Sequence, residues 1–223
     1  MSHKDFTKLD RLIGKTTALA LFCMGTVYLV ITSIGFLSLK SDLDPIGDPY
    51  FSIMEILILV MAPLMVVLMV EVHAYASYNV KTLSLIALIF MSIVACITCS
   101  VHYLRLTASH ESITSLPWLF SFTWPSVIYA LDILAWDFFF SLSMLFAAPV
   151  FKGDRLKASV RIIMIVSGVL SFAGLLGPIV GNMQIRNIGI VGYGVVFPFF
   201  CLLLAKVFSR TELLYEEAMQ NNE

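Results

Sequence analysis

Three acids, one histidine and two arginines are the residues of this sequence best placed for chemistry, because each lies within or at the edge of a long apolar run. They are Glu55, Asp132, Asp137, His102, Arg105 and Arg186. An ionisable group at the centre of a membrane span costs about 3 kcal/mol on insertion scales, so its retention is a functional hypothesis by default. In a water-poor site a carboxyl can act as acid or base toward a hydroxyl, carbonyl or alkene, and the dryness protects a reactive intermediate. Asp132 is the expected acid or base, Glu55 its partner and His102 the group that tunes either. Asp137, Trp136, Tyr129, Arg105, Arg186 and Tyr193 complete the expected ligand-binding set, and Asn187 is placed to extend it.

The depths of these groups follow from helix geometry. Counting 1.5 Å per residue from the outer end of each expected span puts Glu55 about 8 Å deep, Asp132 about 12 Å and Asp137 about 20 Å, with His102 near the outer end of its helix. Asp132 and Trp136, four apart, share a face. Asp132 and Asp137, five apart, are about 140° apart on a straight helix, so one small ligand meets both only if the helix is distorted. The plain alternative is that these groups pair with one another and fix helix orientation.

The elements that must position them are membrane helices. The chain has 223 residues, of which 59% are hydrophobic and 13% charged, with mean hydropathy +0.92. Soluble domains carry nearly twice that share of charge. Runs near 16–39, 51–72, 82–104, 124–149, 159–180 and 187–208 each reach the length of about 20 residues that a span requires. The expected fold is all-α, one transmembrane domain of six helices over 1–223. A cytoplasmic interfacial segment at 1–15, an outer loop at 106–123 and a cytoplasmic tail at 209–223 flank the spans. Asp42, Asp44, Pro45, Gly47, Asp48 and Pro49 make the first loop, and Lys152, Gly153, Asp154 and Arg155 the fourth.

Basic residues set the expected orientation. With both termini inside, Lys4, Lys8, Arg11, Lys15, Lys81, Lys152, Arg155, Lys157, Arg161, Lys206 and Arg210 fall on the cytoplasmic side, leaving Lys40, Arg105 and Arg186 of the 14 outside. Trp118 and Trp124 then belong to the outer interface. In the N-terminal segment Phe6, Leu9, Leu12 and Ile13 suit a short helix lying in the cytoplasmic interface. Glu71 and His73, beside Tyr75, Tyr78 and Lys81, read as a solvated helix end or, as the sharper alternative, a proton entry point. Ser167, Ser171, Gly174, Gly177 and Gly181, with Gly189, Gly192 and Gly194, mark close helix approach. Pro178 and Pro198 should bend or end their helices.

Several chemistries lack their residues. A net charge of -1 gives no surplus to neutralise nucleic-acid phosphates. Cys96, Cys99 and His102 recur every three residues, which places the outer two about 9 Å apart along a helix, too far to ligate one metal together. No P-loop, GxSxG or HExxH motif occurs, and no cofactor is expected.

The stretches Pro49–His73 (PYFSIMEILILVMAPLMVVLMVEVH), Trp124–Phe151 (WPSVIYALDILAWDFFFSLSMLFAAPVF) and Gly189–Pro198 (GIVGYGVVFP) resemble a group of uncharacterised prokaryotic six-helix multi-pass membrane proteins with no established activity. The resemblance implies the cytoplasmic (inner) membrane of a prokaryote and no catalytic residue. From the residues, the expected function is an outer-leaflet polar pocket that binds a lipid or other hydrophobic small molecule, with modification of that ligand by acid–base chemistry left open. A non-enzymatic sensor or assembly partner and a proton-coupled transporter are the alternatives, with self-association left open.

Overall fold

Each apolar run of the sequence forms a helix in the computed structural model, which describes residues 6–39 and 46–220. Lys4 and Lys40 of the charge pattern, and Asp42, Asp44 and Pro45 of the first loop, lie outside the described residues. Among the described residues six helices are long and apolar enough to cross a membrane: α1 (Lys8–Leu37), α2 (Tyr50–Tyr75), α3 (Tyr78–Thr107), α4 (Val127–Val150), α5 (Arg155–Val180) and α6 (Met183–Arg210). No strand occurs among the described residues. Helix α6 continues without a break to Gln220.

Local chemistry explains where these helices begin and end. Thr7 and Asp10 form a capping box at the start of α1: the Thr7 amide donates to Asp10 Oδ2 (2.8 Å) and the Asp10 amide to Thr7 Oγ1 (3.2 Å). Asp154 caps α5 by accepting from the Lys157 amide at 3.0 Å, a contact that holds this carboxyl below the usual aspartate range. At the end of α2, Lys81 Nζ donates to the carbonyls of His73 (2.8 Å) and Ala74 (3.3 Å), so the next helix supplies the cation that the helix end favours. Ser126 starts α4, accepting from the Tyr129 amide and donating to the Ser121 carbonyl.

Residues 8–15 do not form a separate short helix. They are the first two turns of α1 itself, with no break before the span, and Leu9 and Leu12 face outward while Arg11 and Gly14 face inward. At 30 residues α1 is about 45 Å long, which exceeds a hydrocarbon core of about 30 Å and leaves these turns beyond it. Phe6 packs on Tyr75 and Phe208 at centroid distances of 5.3 Å each, and Tyr75 stacks on Phe151 at 5.8 Å. This aromatic cluster joins the N-terminal segment to the ends of α2, α4 and α6, and defines a termini end of the bundle. Glu71 corrects a second expectation: only 5% exposed, it lies against Gly14 beneath this cluster and is not a solvated group. His73 bonds Ser84 Oγ through Nδ1 at 2.8 Å.

Apolar side chains on both sides of an interface gain little from leaving lipid, so packing depends on close approach. Methionines and aromatics, including Met65, Met69, Met91, Met144, Phe140 and Phe200, fill the centre. Between α5 and α6 the small residues meet as expected, since a Cβ on Gly174 would lie 2.9 Å from the Gly189 Cα. The helix of α5 is interrupted at Leu175 and ends at Val180 shortly after Pro178, with Gly181 in the left-handed region at φ 71°.

In α6 the turn widens to π geometry over Val191–Val196, immediately before Pro198. Proline has no N–H to give and crowds the carbonyl four residues back, and a widened turn relieves both. Ser167 Oγ donates to the Gly192 carbonyl at 2.8 Å, which satisfies an acceptor in that widened turn.

Gly192→Ala should lower stability by about 1–3 kcal/mol, because its Cβ would meet Ser171 Oγ, the Ser167 carbonyl and the Ser171 amide at van der Waals overlap. Gly194→Ala, whose Cβ would find only Ile190 Cγ2 at 3.6 Å, should stay within about 0.5 kcal/mol of wild type. Thermal unfolding of the two variants in the same detergent separates them.

Candidate functional site

The acids of α4 come together because this helix is not straight. Between Ile133 and Phe140 the chain makes a π turn, Leu134–Phe139, in which bonding runs from each residue to the fifth one after it. A residue and its fifth neighbour then lie near one face, so the expected divergence of Asp132 and Asp137 does not occur. Both reach the same guanidinium: Arg186 donates through one terminal nitrogen to Asp132 Oδ2 at 3.1 Å, and its Nε stands 3.4 Å from Asp137 Oδ2. Ser141 Oγ donates to the Asp137 carbonyl at 2.7 Å, the same device that Ser167 applies to the π turn of α6.

From this pair the charges continue across the bundle. His102 of α3 sits between two carboxyl groups, with Nδ1 hydrogen-bonded to Glu55 Oε2 at 2.8 Å and Nε2 standing 3.4 Å from Asp132 Oδ1. The resulting chain, Glu55, His102, Asp132, Arg186, Asp137, alternates acid and base and joins α2, α3, α4 and α6. All five side chains are buried, and Asp137 is 0% exposed. Three carboxyls face one guanidinium and one imidazole, so the ionised chain carries one negative charge in excess even with His102 cationic. Among the described residues neither oxygen of Asp137, nor Oδ1 of Asp132, accepts a hydrogen bond.

Glycines seat these groups. The backbone of Arg186 lies against Gly177, where a Cβ would come 2.8 Å from its nitrogen. The Asp137 carboxyl is held between α5 and α6, with a Cβ on Gly189 reaching 2.6 Å from Oδ1 and one on Gly174 reaching 3.0 Å from Cγ. Asp137 therefore occupies a slot that only glycine leaves open.

Aromatic rings surround the chain. Tyr129 accepts from Arg186 at 3.1 Å, and the guanidinium also lies 4.9 Å above its ring. Trp136 and Tyr193 pack at 5.0 Å, and Tyr193 lies within electrostatic reach of Arg186, Asp137 and Asp132. Arg105 stands apart: it lies 4.7 Å over the Phe51 ring, one turn beyond the rung that His102 makes with Glu55. Asn187 also stays out, bonded to Gln184 on an exposed face.

Two aromatic neighbours were not singled out by the sequence. Phe122, in the segment that follows the short helices His110–Ser115 and Pro117–Phe120, packs on His102 at 5.6 Å and on Tyr129 at 5.5 Å. Tyr28 of α1 lies within electrostatic reach of Asp132, Glu55 and Arg186. A tyrosine in an apolar run and a phenylalanine in a loop carry no charge signal, so nothing in the sequence marks them.

Helix α1 crosses α6 at Gly25, where a Cβ would lie 2.9 Å from Pro198. From Phe197 toward the termini the two helices pack closely, but α1 has at most a glancing contact with Met183–Ile190. The helices therefore diverge toward the distal end, where Tyr28 and Tyr193, both partly buried, lie within electrostatic reach of the chain of charges. Among the described residues no set of three or more His, Cys, Asp or Glu has the geometry to hold a metal ion.

Arg186→Gln should destabilise the protein by about 3–5 kcal/mol, because it strips two buried carboxylates of their cation. Arg105→Gln, which loses only a ring contact, should cost about 1 kcal/mol or less in the same unfolding measurement. No protein-family model, curated protein or solved structure matches the chain, so the reading of this centre rests on its geometry.

Proposed function

We propose that the chain of buried charges is an acid–base centre that binds, and acts on, a lipid or other amphiphile drawn from the outer leaflet. The observation that carries this reading is His102, whose two ring nitrogens each face a carboxylate. An imidazole so placed can pass a proton between Glu55 and Asp132 once Nε2, which stands 3.4 Å from Oδ1 without a hydrogen bond, closes on it. Asp132 is then the group that meets the ligand, Glu55 the reservoir behind it and Arg186 the clamp that fixes the Asp132 carboxyl. In this reading the ligand enters from lipid where α1 diverges from the first turns of α6, on the side of Tyr28 and Tyr193.

In this account the protein is a single domain in the cytoplasmic membrane of a prokaryote, with both termini inside and the distal end outward. The basic residues favour that orientation. Trp118 and Trp124, exposed at the distal end, suit the outer headgroup region, and the short helices before Phe122 would lie there as a cover over His102.

The continuity of the chain favours a second reading, proton-coupled transport. Acid and base alternate from Glu55 to Asp137, and Asp137 is the deepest group and the natural carrier. Proton-gradient-dependent uptake in proteoliposomes, lost in Asp137→Asn, is its requirement.

Native mass spectrometry and lipid extraction of protein purified in mild detergent test the first reading. A defined amphiphile should remain on wild type and be lost from Asp132→Asn and Glu55→Gln. If nothing specific is retained and the variants differ only in melting temperature, the charges serve packing, and an assembly role replaces the acid–base centre.

A further inference from the structure

Resting on the acid–base reading, we propose that the ring of Phe122 is a gate between the chain of charges and the water at the distal end, and that lifting the segment 108–125 opens His102 to that water. A centre that passes protons must exchange them with an aqueous phase, and the helix ends place this one close by. His102 stands five residues before the end of α3 at Thr107, which is about 8 Å of helix. Arg186 is the fourth residue of α6 and Asp132 the sixth of α4. At that height His102 is nevertheless only 3% exposed.

Its cover comes from Phe122. This half-buried ring lies 5.6 Å from the His102 ring and 5.5 Å from that of Tyr129, so one side chain bridges the distal ends of α3 and α4. The loop that presents it is tied on both sides. Ser126 Oγ donates to the Ser121 carbonyl, and Thr123 Oγ1 donates to Ser121 Oγ at 2.9 Å.

The rest of the segment is held weakly. The helices His110–Ser115 and Pro117–Phe120 pack on each other, and the second packs on the start of α4, but with the other five spans they have at most a glancing contact. No side chain described over 108–125 is buried. Ala108, where α3 ends, and Ser121, where the second short helix ends, have extended backbone at ψ 132° and 146°, so no continuous helix stiffens either junction. A segment with few buried apolar contacts opens at a small fraction of the cost of global unfolding, and lids are drawn from such segments. With the ring docked, the centre is dry and its ion pairs act at low dielectric. With the ring lifted, water reaches the imidazole and exchanges its proton with the bulk. This gate takes protons only and is separate from the entry of the amphiphile between α1 and α6.

The test follows deuterium uptake at the imidazole C2 of each histidine by peptide mass spectrometry, with the full chain in dodecyl maltoside and D2O buffer. Exchange at C2 needs water at the ring, and His73, at the termini end, is the internal reference. In wild type His102 should exchange about tenfold or more slowly than His73. Phe122→Ala, which removes both ring contacts, should speed His102 by about tenfold or more and leave His73 unchanged. Phe122→Leu keeps an apolar plug and should stay within about threefold of wild type. Phe122→Val, a milder truncation, should move His102 in the same direction as Phe122→Ala by a smaller factor, which keeps the gate testable if Phe122→Ala does not fold.

Wild-type exchange at His102 as fast as at His73 would show that the ring seals nothing. Unchanged exchange in the truncated variants would put the water path elsewhere, and a rise at both histidines would make Phe122 a packing residue alone. Each of these results overturns the gate. None of them touches the acid–base reading, which stands or falls on the amphiphile that wild type retains and the Asp132 and Glu55 variants lose.

Discussion

A guanidinium buried between two carboxylates is the constraint on which the distal half of this bundle depends. Arg186 cannot lie inside the protein without counter-charges, and a single carboxylate would leave part of its fork of donors unanswered. Meeting both Asp132 and Asp137 requires α4 to widen by a π turn. That turn loosens a carbonyl, which Ser141 takes up. Bringing α6 close enough requires Gly174 and Gly177 on α5 and Gly189 on α6, and its own widened turn before Pro198 needs Ser167. Residues that look unrelated along the chain are thus consequences of one ion pair.

The two ends of the bundle are built differently. At the termini end, Phe6, Tyr75, Phe151 and Phe208 interlock the N-terminal segment with α2, α4 and α6, and Arg11 and Glu71 are buried beneath them. At the distal end α1 leaves α6 beyond the Gly25 crossing, and polar and aromatic groups replace the methionine-rich centre.

Much of the fold is legible in the sequence because membrane spans are long averages: a run such as Tyr50–Tyr75 exceeds any error in its boundaries. The polar residues of the candidate centre are legible for the same reason, as rare exceptions in an apolar background. Their arrangement is not legible. A π turn shifts the register by one residue, and nothing in the spacing of Asp132 and Asp137 announces it. Nor does hydropathy indicate that Arg186, near the start of its span, turns inward and Arg105 does not, since that depends on Gly177 and on the ring of Phe51. Glu71 looks solvated because its cover, the N-terminal segment around Phe6, is distant in sequence.

The central claim is that one arginine is shared by two acids five residues apart. Double-mutant cycles in detergent, pairing Arg186→Gln with Asp132→Asn and separately with Asp137→Asn, measure this most directly through unfolding free energies. The account predicts that both cycles depart from additivity by about 1 kcal/mol or more, as groups in one buried network do. Coupling to Asp132 alone, with Asp137 additive, would describe a straight α4 and contradict the arrangement set out above.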